Sequence, residues 1–355
     1  MKTYFYHTQD IQRLLAAHAR GEMPGHLLYG ALHLADEGIE VRWHHSRQSV
    51  MLCRWRLIAH TTWQVLRHVG DCDAIYATHY RGLDLIIRLH ALGLISKPIV
   101  LWHHQPMLRQ RSWWKRTLAK VFYRGIDRLI FFSDHLLQQS LSATAARPDR
   151  MVVGCWGPDL DYYDQWLDAD TVSRRHGFIS TGKELRDFDT LTAAFARTPQ
   201  AEIDIYTYDK FDGIDYRAKM HTAPNIRTNF VTGLIYHSLC SHVATSACVA
   251  VCCMPTKYTV GLTTVVEALG LGLPLICSRN VTMPFDMERD GIGISVDYGD
   301  TEGWQRAIEH ITSHPDEAAE MGRNARLLAE ERYNDRLCAQ LAATLLRQVV
   351  KTHTP

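Results

Sequence analysis

The sequence lacks a long hydrophobic run, since no uninterrupted apolar stretch approaches the ~20 residues that a membrane-spanning helix needs. The opening MKTYFYHTQDIQRLL also lacks the apolar centre and cleavage site of a signal peptide, so we expect the chain to begin directly with structure. The nine cysteines are odd in number and no two have CxxC spacing, which argues against a zinc ribbon or a disulfide framework. Reduced thiols in a cytoplasmic protein are the simplest interpretation.

A large excess of either charge is also absent, since the 355 residues carry a net charge of +1. The two halves differ, however. Residues 1–155 have 20 basic and 11 acidic side chains, for +9, and the remainder has 19 and 27, for −8. A basic half joined to an acidic half indicates that the first half meets something anionic, such as nucleic acid, an anionic membrane surface or a phosphorylated acceptor.

Short β-rich runs alternate with helical patterns along the chain, which predicts parallel sheets with helices on both faces. A helix is also predicted at 25–37, and we expect the chain to be helical from Pro315 almost to its end. We therefore predict an α/β protein with two doubly wound domains, joined near residues 157–175. The predicted strands lie at 3–6, 41–44, 74–78, 99–102, 129–132 and 151–153, and then at 177–180, 202–206, 226–229, 247–252, 275–277 and 293–296.

The most informative segment is GLTTVVEALGLGLPLICSRN at 261–280, where a strand leads through a glycine into a helix. The amides of Gly261, Leu262, Thr263 and Thr264 would be unpaired at the helix N-terminus, which is a ready site for an anion. Glu267 lies four residues after Thr263 and shares its face, so its carboxylate could accept both hydroxyls of a ribose. The alternative is an ordinary helix start, capped by Thr263, with Glu267 in solvent.

This order of strand, G-L-T-T-x-x-E-A-L-x-x-G-x-P-L-I and G-I-G resembles the C-terminal domain of GT-B-fold glycosyltransferases of family 4 (group 1). Similar stretches are ISTGKELRDFDTLTAAF, NFVTGLIYHSLCSHVATS and the region 293–308, so the resemblance spans most of the chain. It implies two Rossmann-like domains that face each other across a cleft. These are an acceptor-binding domain at 1–160 and a nucleotide-sugar-binding domain at 170–331, with helix 332–355 packing back on the first.

The resemblance also implies an activity: transfer of a sugar from a nucleotide-diphosphate sugar to an acceptor hydroxyl, in polysaccharide or glycolipid synthesis. Retention of configuration is implied, with no metal or other cofactor, and the acceptor would be a sugar or a lipid-linked glycan. One departure is Thr259, which stands where the family often has a second Glu, eight residues before Glu267. A non-catalytic nucleotide-sugar-binding or scaffold protein, or a sugar-nucleotide epimerase of the same fold, is therefore an alternative.

Two cations, Lys183 and Arg186, follow the first predicted strand of the second half in STGKELRD. The resemblance makes them the pair that neutralises the donor diphosphate, and cations at a strand end would stabilise a leaving diphosphate without a metal. The alternative is two surface cations that pair with Glu184 and Asp187.

Histidines follow strands in the basic half. His103 and His104 come after IVLW, where the family often has a His near the reacting sugar, and His79 comes after DAIYAT. Such a His could orient or polarise a hydroxyl, and we expect His104 to be the catalytic one. A structural His is the alternative. Gly25 and His26, in MPGHLLYGALHLADEG, resemble the family's first loop, where Gly25 would permit close approach to a phosphate or the acceptor.

The segment RQRSWWKRTLAKVFYRGIDR, at 109–128, combines seven cations with four aromatic residues. This composition suits peripheral attachment to an anionic membrane surface, and it also suits nucleic acid. No nucleic-acid motif accompanies it, so we predict a peripheral contact with the cytoplasmic face of a membrane and no nucleic-acid partner. The alternative is a solvated helix that packs its aromatics on the sheet.

Overall fold

The chain forms two compact units in a computed structural model that describes residues 1–45, 53–232 and 236–353. Unit 1 comprises Met1–Trp156 and the segment that begins at Asn334, and unit 2 is Gly157–Tyr333. Each unit is built around a six-stranded parallel sheet, so the α/β class and the two Rossmann-like sheets are as predicted. Each of the twelve predicted strands is present, with both ends within one residue of their predicted positions.

The sheet of unit 1 has large apolar side chains on both faces, and Phe5, Tyr76 and Trp102 are fully buried. Such continuous apolar strands are typical of a parallel sheet that helices cover on both sides. The strands are β1 Lys2–Tyr6, β2 Glu40–Trp43, β3 Ala74–Ala77, β4 Ile99–His103, β5 Arg128–Phe131 and β6 Met151–Val153, in the order β2-β1-β3-β4-β5-β6. The helices between them are α1 Ile11–Ala19, α2 Arg54–His68, α3 Asp84–Ala91, α4 Trp113–Arg124 and α5 Asp134–Leu141.

Unit 2 repeats this architecture and adds a two-stranded hairpin that the sequence pattern does not predict. Its helices are α6 Leu160–Asp164, α7 Ala169–Ser173, α8 Phe188–Ala196, α9 Tyr236–Ala244, α10 Leu262–Gly270, α11 Thr301–Ser313 and α12 Pro315–Glu331. Its strands are β7 His176–Thr181, β8 Ile203–Thr207, β9 Lys210–Phe211, β10 Ile214–Asp215, β11 Ile226–Phe230, β12 Ser246–Val251, β13 Leu275–Ser278 and β14 Gly293–Val296. The sheet order is β11-β8-β7-β12-β13-β14, and β9 pairs with β10 alone.

The last helix, α13 Asp335–His353, returns to unit 1 and packs against β3 and β4. Its approach explains why the predicted helix at 25–37 is wrong. Two short 3-10 turns stand there instead, Gly25–Leu28 and Ala31–His33. Between them Tyr29 and Gly30 have left-handed backbone, with φ of 54° and 75°. A Cβ on Gly30 would lie 2.5 Å from the amide nitrogen of Ala339 in α13, so this packing requires a glycine.

The strand order reverses once in each sheet, between β1 and β3 in unit 1 and between β7 and β12 in unit 2. Ligands of open α/β sheets bind beyond the carboxyl ends of the strands at such switch points. The segments that follow these four strands therefore position the candidate sites.

Candidate functional site

The N-terminus of α10 lies beyond β12, at the switch point of unit 2. Its cap is Gly261, which has a left-handed φ of 87° and supplies no side chain to bind the first amides of the helix. A Cβ at this position would lie 2.7 Å from Cγ1 of Val251 at the end of β12. Both the turn and the close approach to the strand therefore require glycine.

Three of the four predicted anion-binding amides are unpaired. Within the described residues, the amides of Gly261, Thr263 and Thr264 have no hydrogen-bond partner. The Leu262 amide differs from the prediction, because it donates to the carbonyl of Thr259 at 3.2 Å. Since α10 begins at Leu262, one residue before the predicted start, the preceding turn already uses this amide.

Arg186, in the loop after β7, places a buried cation next to these amides, with only 4% of the residue exposed. Its guanidinium donates to the carbonyls of Thr181 (3.0 Å) and Glu184 (3.2 Å) and to the Thr264 hydroxyl (3.0 Å) at the start of α10. No carboxylate lies within ion-pair distance of Arg186 in the described part of the chain. A buried cation without an anionic partner is costly, and a bound anion would remove that cost.

The two acidic neighbours that could have neutralised this cation are engaged elsewhere. Glu184 accepts a hydrogen bond from the Tyr258 hydroxyl at 2.7 Å, and Asp187 caps α8 through the amide and hydroxyl of Thr190. Arg186 therefore does not form the local ion pairs with Glu184 and Asp187 that the alternative interpretation predicts.

The absence of a side chain at Gly182 leaves space for the guanidinium group of Arg186. Gly182 has a φ of 108°, and a Cβ there would lie 2.2 Å from Nη2 of Arg186. Leu185 in the same loop also has left-handed backbone, with φ of 46°. The loop is thus folded tightly around the Arg186 guanidinium. Strained backbone at non-glycine residues, such as Leu185, is found most often at functional sites, which supports a functional role for this loop.

Lys183 is held above aromatic rings of the unpredicted hairpin region. Its Nζ lies 4.7 Å from the ring centre of Tyr208 and 5.0 Å from that of Phe211. Among the described residues it has no carboxylate partner, so its charge is offset only by these ring faces. The Lys183 carbonyl accepts a hydrogen bond from the Tyr216 hydroxyl (2.7 Å), which fixes the backbone of the loop.

Glu267 lies one turn into α10 and is buried, not solvated, with 5% of the residue exposed. The Cys240 thiol of α9 donates to its Oε1 at 3.2 Å. Burial raises the pKa of this carboxyl to about 7, and the thiol hydrogen bond opposes the shift only in part. When ionised, a carboxylate one turn from a helix N-terminus could accept two hydroxyls of a diol.

The predicted strand-end histidines of unit 1 fall into two groups. His103 is the last residue of β4, and both of its ring nitrogens are engaged inside the unit. Nδ1 bonds the Gln105 carbonyl, and Nε2 lies 3.0 Å from the Tyr123 hydroxyl. Burial lowers its pKa to about 4, so the ring is neutral. The structural alternative thus fits His103.

His104 and His79 keep one ring nitrogen free each among the described residues. Nε2–H of His104 donates to the Thr78 carbonyl at 2.7 Å, which leaves Nδ1 as an acceptor. His79 has the opposite tautomer, because its Nδ1 accepts the Arg81 amide at 2.8 Å and its Nε2–H remains a donor. The two rings are 5.1 Å apart between centres.

His7 belongs with His79 and His104, because it also follows a strand of the same sheet. The sequence analysis did not predict it, although it comes directly after β1. Its Nδ1 accepts the Gln9 amide at 2.8 Å, and the Tyr29 ring lies 5.9 Å from its ring centre. Burial lowers the pKa of His7 and of His79 to about 3, and it also lowers the pKa of His104. His7, His79 and His104, called the histidine group below, therefore present neutral donors and an acceptor. That chemistry suits hydroxyl groups.

Gly25 and His26 form the start of the first 3-10 turn. Gly25 does not have a positive φ, so its backbone is one that any residue adopts. The His26 ring is buried 5.2 Å from the Trp156 ring, and burial lowers its pKa to about 3. The His26 carbonyl accepts a hydrogen bond from Nε1 of Trp156 (2.9 Å), so this residue helps to build the core of unit 1.

Helix α4 occupies most of the basic segment and has no fully buried residue. Trp113 is 73% exposed and Trp114 is 50% exposed, so these two tryptophans do not pack on the sheet as the alternative requires. Helix α4 packs against α3 and α3 packs against α2, on which Trp55 and Trp63 are exposed as well. Among the described residues, no helix combines the length and apolarity needed to cross a bilayer.

Comparisons with known proteins bear on the fold. No protein-family model matches the chain. An MMP α-(1→4)-mannosyltransferase from Mycolicibacterium hassiacum is 22% identical over 306 residues, which cover 79% of this chain and 72% of that protein. Sucrose-phosphate synthase from Thermosynechococcus elongatus matches with a TM-score of 0.72 and 14% identity over 99% of both chains. HepE from Anabaena, solved with UDP-glucose, matches with a TM-score of 0.67 and 14% identity over 98% of this chain and 100% of that one. The chain thus has the GT-B fold, as the sequence resemblance implies.

Proposed function

We propose that this protein is a glycosyltransferase that moves a sugar from a nucleotide-diphosphate sugar to an acceptor hydroxyl. The observation that carries this proposal is Arg186, a buried cation without a carboxylate partner in the described chain, bonded to Thr264 at the unpaired N-terminus of α10. The similarity to a mannosyltransferase and to a structure that holds UDP-glucose supports the same chemistry.

In this proposal unit 2 binds the donor. The diphosphate accepts hydrogen bonds from the amides of Thr263 and Thr264 and from the free N–H of Arg186, and Lys183 adds a second positive charge. The ribose hydroxyls donate to ionised Glu267. As the bond between the sugar and the diphosphate breaks, these fixed groups stabilise the charge that accumulates on the leaving diphosphate.

Because two cations and a helix terminus already neutralise the diphosphate, we propose that transfer needs no Mg²⁺ or Mn²⁺. Retention of configuration follows from the resemblance and is proposed with it. The acceptor is placed in unit 1, where Nδ1 of neutral His104 can accept a hydrogen bond from a hydroxyl and orient it, while His79 and His7 donate hydrogen bonds. His104 is accordingly the candidate catalytic residue of that unit.

The test is transfer or slow hydrolysis with a panel of UDP- and GDP-linked sugars, each with and without EDTA. Turnover of at least one donor that survives the chelator is expected. Loss with EDTA and recovery with Mg²⁺ or Mn²⁺ would contradict the metal-independent mechanism. Tight binding without any turnover would instead favour a non-catalytic nucleotide-sugar-binding protein, for which Thr259 is the sequence argument.

We further propose that unit 1 attaches to the cytoplasmic face of an anionic membrane and draws its acceptor from polysaccharide or glycolipid synthesis. The support is the exposure of Trp113 and Trp114 among the seven cations of 109–128. Trp55 and Trp63 are also exposed, on α2, which packs against α3 as α4 does. Each basic residue near an anionic surface contributes about 1 kcal/mol, so a few suffice for reversible attachment.

A further inference from the structure

Three side chains from distant parts of the sequence meet at the amino edge of the unit 1 sheet, away from the histidine group at its carboxyl edge. His90 lies near the end of α3, Asp127 directly precedes β5, and His353 ends α13. One ligand atom from each lies within 4.8 Å of the others, and no other group of this kind occurs among residues 1–45, 53–232 and 236–353.

Both imidazoles are oriented by backbone carbonyls through Nδ1. Nδ1 of His90 bonds the carbonyl of Ile95 at 2.7 Å, and Nδ1 of His353 bonds the carbonyl of Val349, one turn earlier in α13, at 2.9 Å. A carbonyl can only accept, so Nδ1 carries the proton in each ring and Nε2 has a lone pair when the ring is neutral. This is the orientation that metal-binding histidines usually have.

Each Nε2 then faces the same carboxylate. Nε2 of His90 lies 2.9 Å from Oδ2 of Asp127, and Nε2 of His353 lies 3.5 Å from Oδ1. When both rings are neutral, their two lone pairs face the carboxylate and repel it, and either protonation of the rings or a cation bound between them removes this repulsion. Ligands of a tetrahedral Zn²⁺ at about 2.0–2.1 Å are about 3.3 Å apart. The two separations, each to a different oxygen of Asp127, lie within about 0.4 Å of that value.

The carboxylate itself is fixed by further hydrogen bonds, as metal-binding carboxylates are. Its Oδ2 accepts the amide of Ile99 at 2.8 Å, and its Oδ1 accepts Nη1 of Arg150 at 3.3 Å. Arg150 also donates to the carbonyls of Arg124 and Ile126, which holds its charge in place. Because this cation remains beside the site, we expect weaker binding than at a site with more anionic ligands.

We propose that His90, Asp127 and His353 bind Zn²⁺, or another divalent transition ion that prefers nitrogen ligands, and that this ion fastens the end of α13 to unit 1. Two nitrogens and one carboxylate oxygen suit such an ion better than Mg²⁺ or Ca²⁺, which prefer oxygen. The role is structural, since the site lies at the opposite edge of the sheet from the histidine group.

The experiment uses the full chain without an affinity tag, stripped with EDTA and dialysed. Zn²⁺ is titrated in competition with a zinc indicator, and thermal unfolding is followed with and without Zn²⁺. We expect one site per chain that is tighter than the background of surface histidines. Zn²⁺ should raise the unfolding temperature, because it binds the folded state selectively.

The test variant is His353→Asn. Since the His353 side chain is partly exposed at the end of a helix, we expect this variant to keep the fold. The matched control is His310→Asn, which removes an exposed histidine that also lies 2.9 Å from a carboxylate, that of Glu317. His353→Asn should weaken the tight site by at least about 10-fold and abolish the thermal shift. His310→Asn should behave as wild type.

Two results would overturn the proposal. Equal Zn²⁺ affinity in wild type and His353→Asn would place the binding elsewhere. Absence of any tight site in wild type would mean that protonated imidazoles alone hold the carboxylate, as ordinary ion pairs. Since no substrate is present, neither result depends on the proposed glycosyltransferase activity.

Discussion

The two sheets place opposite chemistry at their switch points. In unit 2 the loop after β7 and the start of α10 present Lys183, Arg186 and unpaired amides, all of which favour an anion. In unit 1 the segments after β1, β3 and β4 present the histidine group, whose rings burial keeps neutral. One scaffold thus offers fixed charge in one unit and uncharged hydrogen-bonding groups in the other. This division suits a charged donor and a neutral hydroxyl acceptor.

The largest effect is expected from removing the Arg186 guanidinium of unit 2. Arg186→Met should lower kcat/KM by about 100- to 1,000-fold, the range for losing one preorganised donor to a developing charge, and it should also lower nucleotide affinity. Nucleotide affinity by calorimetry and steady-state kinetics would measure this.

The matched control is Arg175→Met. Arg175 is a half-buried arginine of unit 2 whose guanidinium donates to the backbone carbonyls of Ala244, Leu271 and Gly272. This control should lower the unfolding temperature and leave nucleotide affinity unchanged. If both variants lost affinity equally, Arg186 would be a structural cation and the contrast between the units would fail.

The second effect concerns Glu267, the acidic residue that we propose binds the ribose. Glu267→Gln should lower nucleotide affinity by roughly 1.5–3 kcal/mol, or about 10- to 150-fold, through loss of charge-assisted hydrogen bonds to the ribose. Calorimetric titration at pH 8, where the wild-type carboxyl is ionised, gives the comparison. Unchanged affinity would remove Glu267 from the site.

The same variant has an opposite effect on stability. Burial raises the folded-state pKa of Glu267 to about 7, above its unfolded value, so the folded state binds the extra proton between about pH 4.5 and 7. The free energy of unfolding therefore falls by roughly 3 kcal/mol as pH rises through this window. Glu267→Gln should unfold at a higher temperature than wild type at pH 8 and at a similar temperature at pH 4.5.

The third prediction distinguishes the roles of two adjacent histidines of unit 1, His103 and His104. His104→Gln should lower kcat/KM for the acceptor by about 2- to 12-fold, the value of one neutral hydrogen bond, without changing nucleotide affinity. His103→Gln should lower the unfolding temperature instead, because both ring nitrogens of His103 bond within the unit. Equal kinetic losses in both variants would show that the histidine group has no special relation to the acceptor.

The smallest effect is expected at the surface of unit 1. Replacing Arg109, Arg111, Lys115 and Arg116 by Gln should reduce co-sedimentation with anionic vesicles and leave nucleotide affinity unchanged. Binding of the wild-type protein to anionic vesicles should weaken as the salt concentration is raised, because screening limits the distance over which exposed charges interact to about 8–10 Å. Equal co-sedimentation with neutral and anionic vesicles, or no co-sedimentation with anionic vesicles at low salt, would contradict the membrane contact and indicate that α4 is an ordinary solvated helix.

The pattern of short apolar and β-rich runs was sufficient to predict all twelve strands of the two large sheets. The signal is strongest for inner strands such as β3, β4 and β13, whose residues are all buried. The helix predicted at 25–37 failed for a reason that no local pattern contains. Gly30 is needed because Ala339, about three hundred residues later, packs against its backbone. The hairpin of β9 and β10 was missed because two-residue strands have no period to detect.

The candidate site was predictable to the level of loops and strand ends, but the roles of individual side chains were not. The rule that strand ends carry ligands selected His79, His103 and His104 together, yet only contacts within the fold distinguish an engaged ring from an open one. The same rule, applied to β1, would have found His7. Burial of Glu267 against Cys240 was likewise invisible, because it depends on how α9 packs against α10.

A crystal structure of the chain with UDP or GDP, whichever binds more tightly, would show where the diphosphate binds. We expect the diphosphate within hydrogen-bond distance of the Thr263 and Thr264 amides and of the Arg186 guanidinium, with the ribose hydroxyls on Glu267. A nucleotide bound elsewhere, or a diphosphate that leaves Arg186 without an anionic partner, would contradict this placement.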